Sequence, residues 1–146
     1  MTMDPYRVPD ATSSVSPLPG TGSRTLFLLA GTGALLASAY WAGLTLLIGL
    51  SASDGSASSS QLLVPCFLIG LYAWRGVQII KGDVLATQRI MWLHGVGGAM
   101  AVFQMSTSSN SWLVTLQSVK LAIHAFGLAT AFLARRSYFE SASRLG

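Results

Sequence analysis

Four long apolar runs constrain the fold of this chain more than any other feature. They cover residues 25–50, 62–80, 84–105 and 112–134, and they hold between 19 and 26 residues each. A helix crosses a hydrocarbon core of about 30 Å with about 20 mostly apolar residues. Because the runs lack the alternating pattern of membrane strands, and because a helix satisfies its own backbone in lipid, helices are favoured. The sequence therefore predicts an all-α, polytopic membrane protein, a bundle of four transmembrane helices with short loops.

The composition also indicates a lipid environment. Charged residues make up 10% of the 146 residues, whereas soluble domains average roughly 25%. Apolar residues make up 51%, which excludes disorder along the whole chain. The single cysteine excludes an internal disulfide, a CxxC redox pair and a cysteine-based zinc site.

The segments between the runs are polar and short. In the turn at residues 81–83, Gly82 is suited to end the second helix and Asp83 to cap the third. Residues 1–24 contain four prolines and many Ser and Thr residues, which predicts a disordered tail. We expect residues 25–135 to form the transmembrane domain and residues 136–146 a short second tail.

Basic residues indicate how the helices are oriented. Cytoplasmic connections are enriched in Lys and Arg, and eight of the nine basic residues lie in the two tails or around the 81–83 turn. The segments at 51–61 and 106–111 contain none. We therefore expect a multi-pass protein of a cell membrane, of the bacterial inner membrane type, with both termini cytoplasmic. The scattered positions of the basic residues argue against a nucleic-acid surface.

A cleaved signal peptide is the alternative interpretation of the first run. Residues 37–39 (Ala-Ser-Ala) resemble a cleavage site after an apolar segment. The apolar stretch continues for 11 residues beyond Ala39, which favours a membrane span instead.

Ionisable and amide groups inside the runs mark a candidate intramembrane polar site, because such groups are costly in lipid. The residues are His94, Gln117, Lys120 and His124. Gln117, Lys120 and His124 fall on one helical stripe. Counted from the 106–111 hairpin, His94 and His124 differ in depth by about 1.5 Å, at about 1.5 Å rise per residue. Lys120 is expected level with Gly97, where a missing side chain leaves room.

Three interpretations of this polar layer stay open. The histidines can be hydrogen-bonded polar contacts between helices. They can instead be the two axial ligands of a b-type haem carried by a membrane anchor. Alternatively, Lys120 and His124 can form the proton or anion site of a small transporter or channel. Apart from that haem, no cofactor or metal is expected.

No catalytic motif occurs in the sequence, so we expect a protein without enzymatic activity of its own. Small residues at a spacing of four, Ala30, Ala34, Ser38 and Ala42, let helix backbones approach closely in lipid. This stripe is suited to packing within the bundle or to self-association. Together these features predict an accessory or scaffold subunit, whose partners are the lipid bilayer and other membrane proteins or further copies of the chain.

Overall fold

The computed structural model describes residues 21–53, 55 and 58–143, and helices account for almost all of them. No strand occurs among these residues, so the prediction of an all-α fold is confirmed. A single 3₁₀ turn, Ser59–Leu62, precedes the second helix. The α-helices are α1 (Thr21–Ser53), α2 (Leu63–Ile80), α3 (Val84–Thr107) and α4 (Ser111–Ser143).

Two three-residue turns join the last three helices, and the first has the chemistry that the sequence predicts. Gly82 has a φ of 91°, a conformation that favours glycine, and its N–H donates to the carbonyl of Ile79 at 2.8 Å. The Asp83 carboxylate then accepts from the N–H of Ala86 at 2.9 Å, which caps α3. In the second turn, the Asn110 side chain accepts from the N–H of Trp112 at 2.9 Å.

Helix α1 lies between α2 and α4, and α3 packs mainly on α4. The core between the helices is built largely from alanines and a few large side chains, among them Phe27, Tyr72, Ile79 and Ile90. Glycines bring the backbones close at two crossings. A Cβ atom at Gly33 would lie 2.8 Å from Cα of Gly127, and one at Gly31 would lie 2.9 Å from the carbonyl oxygen of Gly76.

The first and last helices extend further than the sequence predicts. Helix α1 begins at Thr21, whereas the sequence analysis places residues 21–24 in the tail, and residues 1–20 lie outside the described part. Helix α4 continues to Ser143 instead of ending near residue 134, and residues 144–146 are not described. An ion pair between Arg136 and Glu140, at 2.6 Å and a spacing of four, supports this added length of helix.

By length and composition, three helical segments of the described chain are long and apolar enough to cross a membrane, whereas the sequence predicts four such spans. They are Arg24–Ser53, Ser60–Ile80 and Ser111–Ser143. Helix α3, with 24 residues, is long enough. Its polar side chains, among them Gln88, Arg89 and His94, reduce its mean hydropathy.

The stripe of small residues on α1 is mostly used inside the chain. Ala30, Ala34 and Ser38 are buried against the neighbouring helices, and the Ser38 hydroxyl donates to the carbonyl of Ile69 in α2 at 3.0 Å. Ala42 is the exposed member of the four. The chain's own helices therefore occupy the face formed by Ala30, Ala34 and Ser38, and self-association through this stripe stays a prediction.

Candidate functional site

The two histidines meet in the middle of the bundle. Nδ1 of His94 in α3 lies 3.0 Å from Nδ1 of His124 in α4, and both side chains are almost completely buried. The rings are steeply inclined, with centroids 5.3 Å apart and an interplanar angle of 63°. The structure therefore brings together the two residues that the hairpin count places at equal depth.

Each imidazole fits against a glycine of the opposite helix. A Cβ atom at Gly97 would collide with the ring of His124, and one at Gly127 would collide with the ring of His94. The space beside Gly97 is thus filled by His124, which corrects the expectation that Lys120 uses it. This reciprocal packing explains why glycines stand at these two positions.

The surroundings of His94 indicate which ring carries the bridging proton. Its Nε2 is buried and has no hydrogen-bond partner among the described residues. In a neutral imidazole one nitrogen donates and the other accepts, so one of the two Nδ1 atoms must carry a hydrogen. If His94 donates, its bare Nε2 is an unpaired acceptor; if it accepts, a buried N–H is orphaned, and orphaned N–H groups are the rarer case. The geometry therefore favours donation from His94 to His124.

Tyr72 of α2 completes an aromatic cluster with the two histidines. Its ring centroid lies 5.4 Å from that of His94 and 6.0 Å from that of His124, and the side chain is buried. Sequence reasoning missed this residue, because spacing along α2 gives no sign of which face meets the other helices. Tyr72 links α2, which otherwise packs on α1, to the α3–α4 pair.

Lys120 lies one helical turn from His124 and is also buried, with only 6% of the residue's surface exposed. Its ammonium nitrogen lies 5.1 Å from the centre of the Trp41 ring in α1, a cation–π contact. The acidic residues within the described part are Asp83 and Glu140, and Lys120 makes no ion pair with either. Sequence analysis did not connect Trp41 with Lys120.

Two further polar atoms near Lys120 lack hydrogen-bond partners. Nε1 of Trp41 and Oε1 of Gln117 are buried, and neither is bonded within the described ranges. Gln117 precedes Lys120 by three residues, so the two side chains are neighbours on α4. The predicted polar site therefore divides into a histidine pair and a second group of Lys120, Gln117 and Trp41.

The histidine pair does not fit the haem hypothesis in this arrangement. Two metal–nitrogen bonds of about 2 Å each would hold the coordinating atoms about 4 Å apart, with a porphyrin ring between the imidazoles. Here the facing Nδ1 atoms are 3.0 Å apart, and both Nε2 atoms point at glycine backbone. A haem would have to separate α3 from α4.

Surface grooves lie apart from both groups. One of about 370 Å³ is lined by residues of α1 and by Leu116, and almost all of its lining is apolar. Another of about 300 Å³ lies along α4 between Phe132 and Glu140. The histidines and Lys120 line neither groove.

Comparison with known proteins adds no relative. No family model matches the chain, and neither curated proteins nor solved structures match it. The assignment of a function therefore depends on the packing and chemistry described above.

Proposed function

We propose that this chain is a four-span protein of a cell membrane, with both termini cytoplasmic, that serves as an accessory or scaffold subunit of a membrane complex. The observation that carries the proposal is a distribution of polar and apolar side chains that is the reverse of the one in a soluble protein. Large apolar side chains cover the outside of all four helices, while polar side chains such as His94, Lys120 and His124 are buried inside. Such a surface suits contact with lipid and with other membrane helices.

The turns support α3 as the fourth span despite its lower hydropathy. It connects the end of α2 to the start of α4 through residues 81–83 and 108–110. Its 24 residues extend about 36 Å, at about 1.5 Å each, which matches the hydrocarbon core. Its polar His94 is buried and its large apolar side chains, such as Trp92 at 73% exposed, point outward.

The packed interior supports a structural role for the histidine pair. Both rings are enclosed by Tyr72 and by the glycines of the opposite helices, so the pair acts as a hydrogen-bonded contact between α3 and α4. Hydrogen bonds between membrane helices contribute about 0.6–2 kcal/mol. The bundle is thereby a fixed scaffold that presents its outer surface to partners.

Site-specific photo-crosslinking in intact source cells tests the proposed subunit role. A photoreactive residue is placed at Phe67 of α2 or at Trp92 of α3, which are exposed, and at Ile90, which is buried, as the matched control. We expect an adduct with one defined membrane protein, or with a second copy, from at least one exposed position and none from Ile90. Adducts with lipid alone at every exposed position would contradict the proposal.

A further inference from the structure

We propose that Lys120, Gln117 and Trp41 form a binding site for one monovalent anion within the membrane-spanning part of the bundle, between α4 and α1. The inference is independent of whether the chain serves as a subunit of a complex. The starting observations are the buried Lys120 and two buried polar atoms, one on Trp41 and one on Gln117, that lack hydrogen-bond partners among the described residues.

The burial of Lys120 makes an unbalanced positive charge costly. A charged group removed from water is stable only when it is paired or when it loses its charge. The contact shown for the Lys120 ammonium is the Trp41 ring, 5.1 Å from the ring centre, and its ion-pair partner is missing from the described residues. A bound anion would balance this charge.

The neighbouring groups supply further donors. Lysine provides three N–H groups, tryptophan one and the glutamine amide two. Nε1 of Trp41 is buried without a partner in the described chain, and Gln117 has an equally unsatisfied amide oxygen. Buried polar atoms without partners call for a ligand, an ion or water. The Gln117 oxygen is an acceptor and is suited to an N–H of the Lys120 ammonium, whereas the Trp41 N–H and the other ammonium N–H groups are suited to a negatively charged acceptor.

The charge count and the setting limit the ligand to a single negative charge. One lysine neutralises one negative charge. An anion with two charges would leave one negative charge unbalanced in a medium of low dielectric constant. A weakly hydrated halide meets this requirement, and so does the carboxylate of a fatty acid dissolved in the bilayer. These are two sources of the same chemistry.

Fluorescence quenching of Trp41 tests the proposal and separates the two sources. The chain has four tryptophans, and Trp74, Trp92 and Trp112 are exposed, so a variant with these three changed to Phe leaves Trp41 as the reporter. The full-length protein in phosphatidylcholine nanodiscs is titrated with sodium iodide at constant ionic strength. In parallel it is titrated with dibromostearic acid and with its methyl ester.

We expect saturable quenching by iodide, stronger quenching by the acid than by its methyl ester, or both. Lys120→Met should remove the saturable part of the quenching. Iodide alone would assign a dissolved halide, and the acid alone a fatty-acid carboxylate. Lys81→Met, in the exposed turn after α2, is the matched control, and its Trp41 fluorescence should be quenched to the same extent as in the parent protein.

Two results would overturn the proposal. One is quenching that rises linearly with iodide and is equal for the acid and the ester. The other is saturable quenching that Lys120→Met leaves unchanged. If Lys120→Met loses its helical circular dichroism signal, the variant Gln117→Met tests the site instead. We expect Gln117→Met to bind the quencher several-fold more weakly. Unchanged binding by Gln117→Met would overturn the proposal.

Discussion

At the scale of single residues, the hydrogen bond between the two imidazoles has one ring as donor and the other as acceptor. His94 has a buried Nε2 without a partner among the residues described, and a lone pair is more easily left unpaired there than an N–H. We therefore expect His94 to donate and His124 to accept across the 3.0 Å contact between their Nδ1 atoms.

Nitrogen-15 NMR of histidine-labelled protein in nanodiscs measures the two tautomers directly. We expect the ring proton of neutral His94 on Nδ1 and that of neutral His124 on Nε2. The variants His94→Gln and His124→Gln assign the signals. A proton on Nε2 of His94, together with one on Nδ1 of His124, would show that the direction of the hydrogen bond is reversed.

At the scale of elements, the α3–α4 contact depends on glycines that accept an imidazole from the other helix. Gly127→Ala should destabilise the bundle by about 1–3 kcal/mol, because the added Cβ collides with the ring of His94, which is confined by Tyr72. Gly95→Ala is the matched control on α3, since a Cβ there meets nothing within 4 Å.

Unfolding of the two glycine variants in mixed micelles, followed by circular dichroism, measures this difference. The control should be at least as stable as the parent protein, because alanine is the better helix former. Equal stability of Gly127→Ala and Gly95→Ala would mean that the imidazole does not occupy the space beside Gly127.

The sequence predicted the helices and the depth of their polar residues better than it predicted contacts between helices. Apolar runs and the Gly82–Asp83 turn located the boundaries, and counting from the short hairpin placed His94 level with His124. Counting gives height along a helix axis, whereas contacts also depend on rotation about that axis. For this reason Tyr72 and Trp41 were missed as neighbours of the polar residues.

At the scale of the whole molecule, the proposed topology has four helices across the bilayer, of which three described segments qualify by length and hydropathy. Helix α3 is the decisive element, because short turns connect it to α2 and α4. If α3 crosses, the turn at residues 81–83 lies on one side of the membrane and the turn at 108–110 on the other. Both described chain ends then lie on the side of the first turn.

Cysteine accessibility in sealed membrane vesicles measures this arrangement most directly. Cys66, the single cysteine, is changed to Ala, and Lys81→Cys, Ser108→Cys and Ser143→Cys are made singly in that background. With an impermeant thiol reagent added outside right-side-out vesicles, we predict labelling of the Ser108 variant alone, and labelling of the other two only after permeabilisation. Labelling of the Lys81 and Ser108 variants from the same side, or recovery of the protein as a folded particle in the soluble fraction, would contradict the account.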